Sequence, residues 1–266
     1  MKRGLGGQEA QTLAYLQMRK QRLVRTGDLV RALRLTQLQE REVFRRLARG
    51  RLIARVRRGL YLAPAQLPLG GSWSPDETLT LNALLEDRKG RYQICGPNAF
   101  SRYGFDDQVP TRVYAYNNRI SGDRSIGAVE LSLIKVADDR LGDVESVRNA
   151  DGLTAVYASR VRTLVDAVYD WSRFNGLPRA YGWISRELAG KRVGVAELVR
   201  VALRYGDIAT IRRIGALLDR EGVSAGQLRK LQRALGPSTS SIPWIPTRPK
   251  RGALDRRWGI VWNEGA

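Results

Sequence analysis

Histidine is absent from the 266-residue sequence, and cysteine occurs once, as Cys95. Without histidine the chain lacks the usual general base and the commonest zinc and iron ligand, and a Ser-His-Asp triad is excluded. A single cysteine excludes an intramolecular disulfide and a zinc site built from several thiolates. Because Cys95 ends an apolar run that begins at Tyr92, we expect it to be a small buried hydrophobic residue rather than a nucleophile.

Long apolar runs are also absent. No stretch approaches the roughly 18–20 residues that span a bilayer. The basic start of the chain is followed by Gln8 and Glu9 rather than by the apolar core of a signal peptide. We therefore expect no membrane partner and a cytoplasmic protein.

Catalytic motifs are missing as well. The sequence contains no P-loop and no dinucleotide-binding glycine pattern. Gly71-Ser72 is similar to the opening of a nucleotidyltransferase motif, but the paired carboxylates that would hold Mg²⁺ do not follow it. Glu130 and Lys135 lie in strand-like sequence at a spacing that places them on opposite faces. We expect no catalytic residues, no cofactor and no metal site, and hence no enzyme.

Positive charge, in contrast, is in large excess. The chain has 46 Lys and Arg against 26 Asp and Glu, a formal charge of +20 and a pI near 10.9. Residues 1–64 contain 16 of the basic and 4 of the acidic residues, so more than half of the excess lies in the first quarter of the chain. Such charge predicts attraction to nucleic acid or to an anionic membrane. A merely solvated surface is the alternative.

Residues 8–64 have the pattern of three helices and a hairpin. Apolar spacing predicts a helix over residues 8–22, and Asp28 is a candidate cap for a short second helix. Thr36 and Gln39 form a capping box that opens a third helix of about a dozen residues. Residues 51–56 and 60–63 are strand-like and flank a turn, which completes the element order of a winged helix-turn-helix.

We expect DNA contacts from the charged side of the third helix and from the hairpin. Guanidinium groups bind phosphates and guanine, and Gln39 is a candidate for base recognition. The predicted DNA-binding residues are Gln39, Arg41, Arg45, Arg46, Arg49, Arg55, Arg57 and Arg58. Two alternatives stay open, namely a solvated helix face and a winged helix that binds another protein.

The remainder predicts a larger C-terminal domain. Residues 70–75 are typical of a linker, and Ser74 or Asp76 caps a helix to about Leu85. Strand-like segments follow, interrupted by a short helix; they are residues 92–95, 112–116, 128–136 and 153–158. Helical stripes follow at residues 161–168, 198–202 and 211–218, and a capping box at Ser224 opens a last helix that carries Leu228, Leu231 and Leu235.

The end of the chain differs in composition. Residues 237–249 contain four prolines and predict an extended strap, followed by a terminal strand at residues 258–262. Trp244 lies between two of these prolines, and we expect it to pack the strap rather than to contact a partner. Gly215 lies within a helical stripe, where it would allow a neighbour to pack closely.

These patterns predict a mixed α+β fold class with two domains. Residues 1–68 form the winged helix-turn-helix, and residues 74–266 form the C-terminal domain. We expect the larger domain to have a mixed α/β half, a helical half, and the strap with its terminal strand. Their predicted ranges are 74–158, 159–236 and 237–266.

Five short segments carry a family resemblance. They are RRGLY at 57–61, GPNAFSRYGF at 96–105, SRVRTLVD at 159–166, RIGALLDREG at 213–222 and WGIVWN at 258–263. Their succession resembles the AbiEi-type antitoxins of type IV toxin–antitoxin systems. Each segment consists mostly of small and apolar residues, whereas the series covers nearly the whole chain.

The resemblance implies an antitoxin that is also a transcriptional regulator. The N-terminal domain would bind inverted repeats in the promoter of its own operon and repress it. The C-terminal domain would neutralise a nucleotidyltransferase-like toxin, with or without direct contact. A winged helix on paired half-sites also suggests two copies per operator.

Basic residues on the C-terminal helices are further candidates for contacts with flanking DNA or with an acidic partner. They are Arg212, Arg213, Arg229 and Lys230. A solvated surface is the alternative for all four.

Other functions stay open at this level. One is a stand-alone transcriptional regulator whose C-terminal domain senses a small molecule or binds a partner. Another is a cryptic nuclease or nucleotidyltransferase. A membrane-surface protein is disfavoured, since no helical pattern combines a basic face with a bulky aromatic face.

Overall fold

The computed structural model describes residues 5–67, 71–237 and 240–264, and the fold class is α+β, as predicted. The helices of these residues are α1 (Gly7–Met18), α2 (Asp28–Ala32), α3 (Gln37–Arg49), α4 (Glu77–Glu86), α5 (Pro97–Arg102), α6 (Arg160–Tyr169), α7 (Trp171–Phe174), α8 (Arg179–Ala189), α9 (Val195–Tyr205), α10 (Ile208–Arg220) and α11 (Ala225–Leu235). No helix in this part of the chain is both long enough and apolar enough to cross a membrane.

Short strands alternate with these helices. They are β1 (Leu23–Arg25), β2 (Ala54–Arg57), β3 (Leu60–Leu62), β4 (Tyr92–Ile94), β5 (Val113–Asn117), β6 (Gly122–Ile126), β7 (Val129–Lys135), β8 (Val144–Arg148), β9 (Thr154–Ala158), β10 (Ile242–Pro243), β11 (Ala253–Asp255) and β12 (Ile260–Trp262).

Helices α1 to α3 share one apolar core with a three-stranded antiparallel sheet. The strand order is β1-β3-β2, and Leu62 pairs with Leu23 on one side and with Ala54 on the other. Leucine and valine side chains from α1, β1, α2 and α3 are buried together. Phe44 of α3 stacks on Tyr61 of β3 with ring centroids 4.7 Å apart, which fixes the helix against the sheet.

Two local predictions for this region are wrong. The first helix ends at Met18 rather than near residue 22, because the chain turns at Lys20, whose φ is 52°, and then enters strand β1 at Leu23. Asp28 does not cap α2, because its carboxylate instead accepts a hydrogen bond of 2.7 Å from the backbone N–H of Arg25. The N-cap position of α2 is Gly27, whose φ of 103° suits glycine.

Packing divides the chain into two compact units. The first comprises the described residues within Met1–Tyr92, Thr111–Leu141 and Val147–Ala155, and the second those within Gln93–Pro110, Gly142–Ser146 and Val156–Ala266. Residues 68–70, part of the predicted boundary region, lie outside the described residues. The boundaries of these units differ from the predicted domain boundary. The division into two domains at residues 68–74 stays a prediction.

The first unit contains α1 to α4 and three sheet neighbours in the order β6-β7-β5. Strand β7 pairs in parallel with β5 and antiparallel with β6. The predicted alternation is confirmed on β7, where Leu131 and Leu133 are buried. Strand β6 was not expected from the sequence, because four of its five residues are exposed and polar or glycine, which leaves no apolar alternation.

The predicted linker is fixed within this unit. The backbone N–H of Trp73 donates to the carbonyl of Arg51 at 2.7 Å, and the hydroxyl of Ser74 accepts from the N–H of Ala128 at 2.8 Å. Asp76, rather than Ser74, caps α4 by accepting from the N–H of Leu79. The described part of residues 70–75 is therefore a packed connection.

The second unit is mainly helical. Helices α6, α9, α10 and α11 bury their apolar stripes as predicted, whereas α8 is absent from the elements predicted above. Cys95 lies fully buried in this unit. The capping box predicted at Ser224 is wrong: Ser224 is the N-cap residue of α11, but its side chain makes no capping hydrogen bond.

The proline-rich strap packs on the helices of the second unit. Trp244 is buried, and its ring stacks on Tyr181 of α8 at a centroid distance of 3.6 Å. The hydroxyl of Tyr181 also donates to the carbonyl of Trp244 at 2.7 Å. The packing role expected for Trp244 is confirmed. Strand β12 then pairs in parallel with β10 and antiparallel with β11.

Gly215 of α10 lies directly against the ring of Trp258 in the C-terminal segment. A Cβ atom built on Gly215 would lie 2.1 Å from a ring carbon of Trp258. Non-bonded carbon atoms do not come so close in real structures, so only glycine fits here while this indole stays in place. The close packing expected from the sequence is confirmed.

We predict that Gly215→Ala lowers the free energy of unfolding by roughly 1–3 kcal/mol, because the buried Trp258 ring must move. Gly182→Ala in α8 is the matched control, since nothing lies within 4 Å of its added Cβ. That change should stabilise the protein by about 0.5–1 kcal/mol through helix propensity. Urea unfolding measures both, and equal stability of the two variants would contradict the packing argument.

Candidate nucleic-acid interface

The outward side of α3 is determined by what the helix buries. Phe44 and Leu47 lie in the core, and the opposite side of the helix faces solvent. Arg41, Arg45 and Arg49 follow one another at four-residue intervals along that exposed side. Because a helix rises about 1.5 Å per residue, their backbone positions are about 6 Å apart along the axis.

Glu40 is the charged residue of α3 that points inward, and it fixes α2 against α3. Its side chain is fully buried. One carboxylate oxygen accepts from the backbone N–H of Gly27 at 2.7 Å, and the other accepts from the N–H of Leu29 at 2.9 Å. These N–H groups form the positive end of α2, so a carboxylate from α3 takes the place of a local cap.

Arg45 and Arg46 meet at one carboxylate on the exposed side. The Nε of Arg45 donates to Glu42 at 2.9 Å, and the Nε of Arg46 lies 3.4 Å from the same residue. Arg46 also donates to Glu9 of α1 at 3.2 Å. The hydrogen bond from Arg45 lowers the pKa of Glu42. Since exposed ion pairs contribute little to stability, an incoming phosphate can replace Glu42 at low cost.

The other predicted arginines are exposed on α3 and the hairpin. Arg41 and Arg49 lie on α3, and Arg55 and Arg58 lie on β2 and at the hairpin turn. Within residues 5–67, 71–237 and 240–264 no carboxylate lies at ion-pair distance from these four side chains. Their guanidinium groups therefore carry positive charge that the described part of the protein does not neutralise.

Arg57 is different, because a buried carboxylate binds it in a bidentate pair. Its Nε and Nη2 donate to the two oxygens of Asp87 at 2.6 and 2.7 Å. Arg25 of β1 donates to the same carboxylate at 2.8 Å. The side chain of Asp87 is only 6% exposed, and the hydrogen bond from Arg57, assisted by Arg25, lowers its pKa to about 2.

Sequence reasoning missed Arg25 and Asp87, which lie 62 positions apart. Asp87 follows α4, a helix that the sequence pattern assigns to another domain. No local pattern signals such a pair, because it depends on how the hairpin packs within the first unit. Arg57, predicted to contact DNA, therefore also binds Asp87, and this contact positions the hairpin.

Gln39 is exposed, but its amide oxygen is engaged. It accepts from the backbone N–H of Thr36 at 2.8 Å, and the Thr36 hydroxyl accepts from the N–H of Gln39 at 3.2 Å. The predicted capping box is confirmed. Bidentate recognition of adenine needs both the oxygen and the nitrogen of the amide. Gln39 would have to break the cap to bind adenine in this way.

Two of the four C-terminal candidates are wrong. Arg212 and Arg213 of α10 are buried, so they are not available as surface contacts. Arg212 donates to the hydroxyl of Ser240 at 3.2 Å, Arg213 donates to the carbonyl of Pro243 at 3.3 Å, and burial lowers the pKa of Arg213. The local sequence did not indicate this burial, because the strap that covers α10 is distant in sequence. Arg229 and Lys230 of α11 are exposed.

The second unit contains a small cavity of about 330 Å³ whose lining includes three arginines. Arg160, Arg186 and Arg192 line it together with aromatic side chains. Glu187 also lines it and accepts from Arg160 at 3.0 Å and from Arg192 at 2.8 Å. Three guanidinium groups against one carboxylate leave the lining with excess positive charge, which suits a small anion.

Among the described residues, no three Asp, Glu or Cys side chains lie close enough together to hold a metal ion. Glu130 and Lys135 lie on alternate faces of β7, in accord with the two-residue period of a strand.

Comparison with known proteins gives a likeness of fold. No protein-family profile and no curated protein matches the sequence. The crystal structure of the RV2827C protein from Mycobacterium tuberculosis is similar, with a TM-score of 0.61 and 15% sequence identity. The likeness covers 97% of this chain and 92% of that chain. At this identity it shows a shared fold and leaves function open.

We predict that Glu40→Gln lowers the free energy of unfolding by about 1–3 kcal/mol, because one buried N–H at the start of α2 loses its acceptor. Glu42→Gln is the matched control on the same helix. Its exposed carboxylate makes only surface pairs, so stability should change by less than about 0.5 kcal/mol. Chemical unfolding followed by circular dichroism gives both values. A Glu40 variant as stable as the Glu42 variant would contradict the capping role.

We predict that Asp87 stabilises the protein in a pH-dependent way. Its pKa is about 2 in the folded state against an ordinary value of 3.8, so its contribution is present above that ordinary value and is lost as pH falls towards 2. The full contribution is about 2 kcal/mol. The stability difference between wild type and Asp87→Asn should shrink by that amount over this range.

Asp139→Asn is the control, since Asp139 is exposed. Urea unfolding at a series of pH values measures the three proteins. A difference between wild type and Asp87→Asn that stays constant with pH would show that the Asp87 carboxylate is not selectively stabilised in its charged form.

Proposed function

We propose that this protein is a DNA-binding regulator that contacts duplex DNA through α3 and the β2–β3 hairpin. The observation that carries the proposal is the outward row of Arg41, Arg45 and Arg49 on a helix whose other side is buried. The element order α1-β1-α2-α3-β2-β3, with the sheet order β1-β3-β2, supports it because this is the order of winged helix-turn-helix modules.

The dimensions of α3 fit the major groove. Its 13 residues span about 20 Å, and the groove is about 12 Å wide, enough to admit one helix with its side chains. Guanidinium groups spaced along the helix meet phosphates on the groove edges or the oxygen and nitrogen acceptors of guanine. Each phosphate neutralised releases counterions, which makes binding dependent on salt.

The carboxylates near these arginines have separate roles in the proposal. Glu42 lies on the surface and yields Arg45 to phosphate when DNA binds, whereas Arg46 also pairs with Glu9, whose side chain is only 8% exposed. Asp87 is buried and keeps Arg57 in a bidentate pair, so it positions the hairpin. Arg55 and Arg58 are then the hairpin residues that contact DNA directly, with Arg57 contributing charge next to them.

We further propose that the protein acts as an antitoxin of the AbiEi type. In this proposal it represses its own toxin–antitoxin operon, with two copies on an operator, and neutralises a nucleotidyltransferase-like toxin in the cytoplasm. The support for this part is the resemblance of the five segments named above. Arg229 and Lys230, both exposed, remain candidates for contact with flanking DNA or an acidic partner.

The second candidate is a stand-alone regulator whose second unit senses a small anion. The cavity lined by Arg160, Arg186 and Arg192 favours this candidate, since its volume lies at the lower end of the range for ligand pockets. Two observations separate the candidates. A toxin gene next to this one supports the antitoxin, whereas operator affinity that changes with an added anion supports the sensor.

We predict that the double variant Arg45→Gln/Arg49→Gln binds a mixed-sequence duplex more weakly and with a smaller salt dependence. The slope of log affinity against log salt should fall in magnitude by about 2, because two phosphate contacts are lost. Fluorescence anisotropy titrations across a range of salt concentrations measure this slope.

The matched control is Lys191→Gln/Arg256→Gln, which removes the same charge from exposed positions of the second unit that have no proposed DNA contact. We expect its slope to equal that of wild type. If both double variants lose the same slope, binding follows net charge rather than the α3 surface, and the proposal is wrong. If wild type binds no duplex at low salt, the regulator assignment fails as a whole.

A further inference from the structure

Leu38 is a large apolar side chain on the otherwise polar and charged side of α3. It is 77% exposed, although leucine is among the residues most often buried in proteins. It occupies the second position of the helix, immediately after Gln37. Val43, Phe44 and Leu47 are apolar because they pack in the core, whereas Leu38 does not belong to that core.

Leu38 lies in line with the arginines of the proposed DNA surface. At about 100° per residue, Arg45 and Arg49 lie within about 20° of Leu38 around the helix axis, and Arg41 lies about 60° away. A protein-docking surface needs a broader apolar patch than one leucine among guanidinium groups. The surrounding charge favours a polyanion as the molecule that covers Leu38.

The major groove offers one apolar group on a base edge, the C5 methyl of thymine. The first residues of a recognition helix are those that contact base edges in helix-turn-helix complexes. Leu38 occupies such a position, and it can neither donate nor accept a hydrogen bond. Its neighbour Gln39 has its amide oxygen in the capping box, so Leu38 is the outward side chain best placed for base contact in this turn.

We infer that Leu38 contacts the C5 methyl group of a thymine and thereby helps to determine which sequence the protein prefers. This inference rests on the proposed DNA binding. The arginines supply affinity that is largely independent of sequence, whereas Leu38 distinguishes a thymine from a base without this methyl group at one position of the site.

The test removes one methyl group at a time from the DNA. Wild-type protein first selects a preferred duplex from a random-sequence pool, and each thymine in that duplex is then replaced singly by deoxyuridine. We expect one replacement to weaken wild-type binding by about fourfold, the effect of losing the burial of one methyl group. Leu38→Ala should bind the selected duplex about threefold to tenfold more weakly and be insensitive to that same replacement.

Two control variants accompany the test. Leu38→Met retains an apolar side chain of similar size and should keep the sensitivity to the missing methyl group. Val109→Ala removes another exposed apolar side chain, which lies in the second unit, and should bind like wild type. Circular dichroism and thermal melting establish that each variant is folded, as expected because alanine and leucine both favour helix.

The outcomes separate this inference from the proposed function. If wild type binds its selected duplex tightly but tolerates every uracil replacement, the Leu38 contact is wrong while DNA binding stands. If no duplex is selected at all, both fail. If Leu38→Ala leaves DNA binding unchanged but shifts the protein's oligomeric state in sedimentation, Leu38 is a contact between protein molecules and the inference is overturned.

Discussion

The burial of Val43, Phe44 and Leu47 determines where every charged side chain of α3 lies. With these residues in the core and Phe44 stacked on Tyr61, the helix cannot rotate, and its arginines must face outward. Glu40 completes the arrangement from the inside, because its carboxylate caps α2. The orientation of α2, α3 and the sheet therefore follows from one apolar stripe and one buried carboxylate.

The arginines of α3, β1 and the hairpin then fall into two groups, those held by a buried carboxylate and those that can bind another anion. The buried carboxylate of Asp87 pairs with Arg57 and Arg25, whose side chains are 41% and 49% exposed, whereas Glu42 makes only exposed pairs with Arg45 and Arg46. Exposed pairs exchange readily with phosphate, but a bidentate pair with a buried carboxylate does not. Arg41, Arg49, Arg55 and Arg58 add charge that the described residues leave unneutralised. The result is a surface that combines a positioned hairpin with arginines whose charge is available, as the proposed contact with DNA requires.

Local sequence signals predicted the elements that depend on neighbouring residues. The capping box at Thr36 and the stripe of α3 are of this kind, whereas at Gly215 the sequence predicted a close contact without naming its distant partner, Trp258. Features that depend on distant segments were missed: the link between Arg57 and Asp87, the burial of Arg212 and Arg213 under the strap, and the polar strand β6. Ser224 shows the opposite error, since a sequence that permits a capping box does not oblige the side chain to form one. The DNA-binding role of the α3 arginines stays a prediction of sequence and geometry together.

Site-specific photocrosslinking tests the central claim most directly. A benzophenone side chain replaces Gln37, exposed at the start of α3, in one sample and Ala234, exposed on α11, in another. Illumination with a radiolabelled duplex should crosslink DNA from position 37, and high salt should abolish the product. Crosslinks from position 234 alone, under conditions in which the protein binds DNA, would contradict the assignment of α3 as the DNA-binding helix.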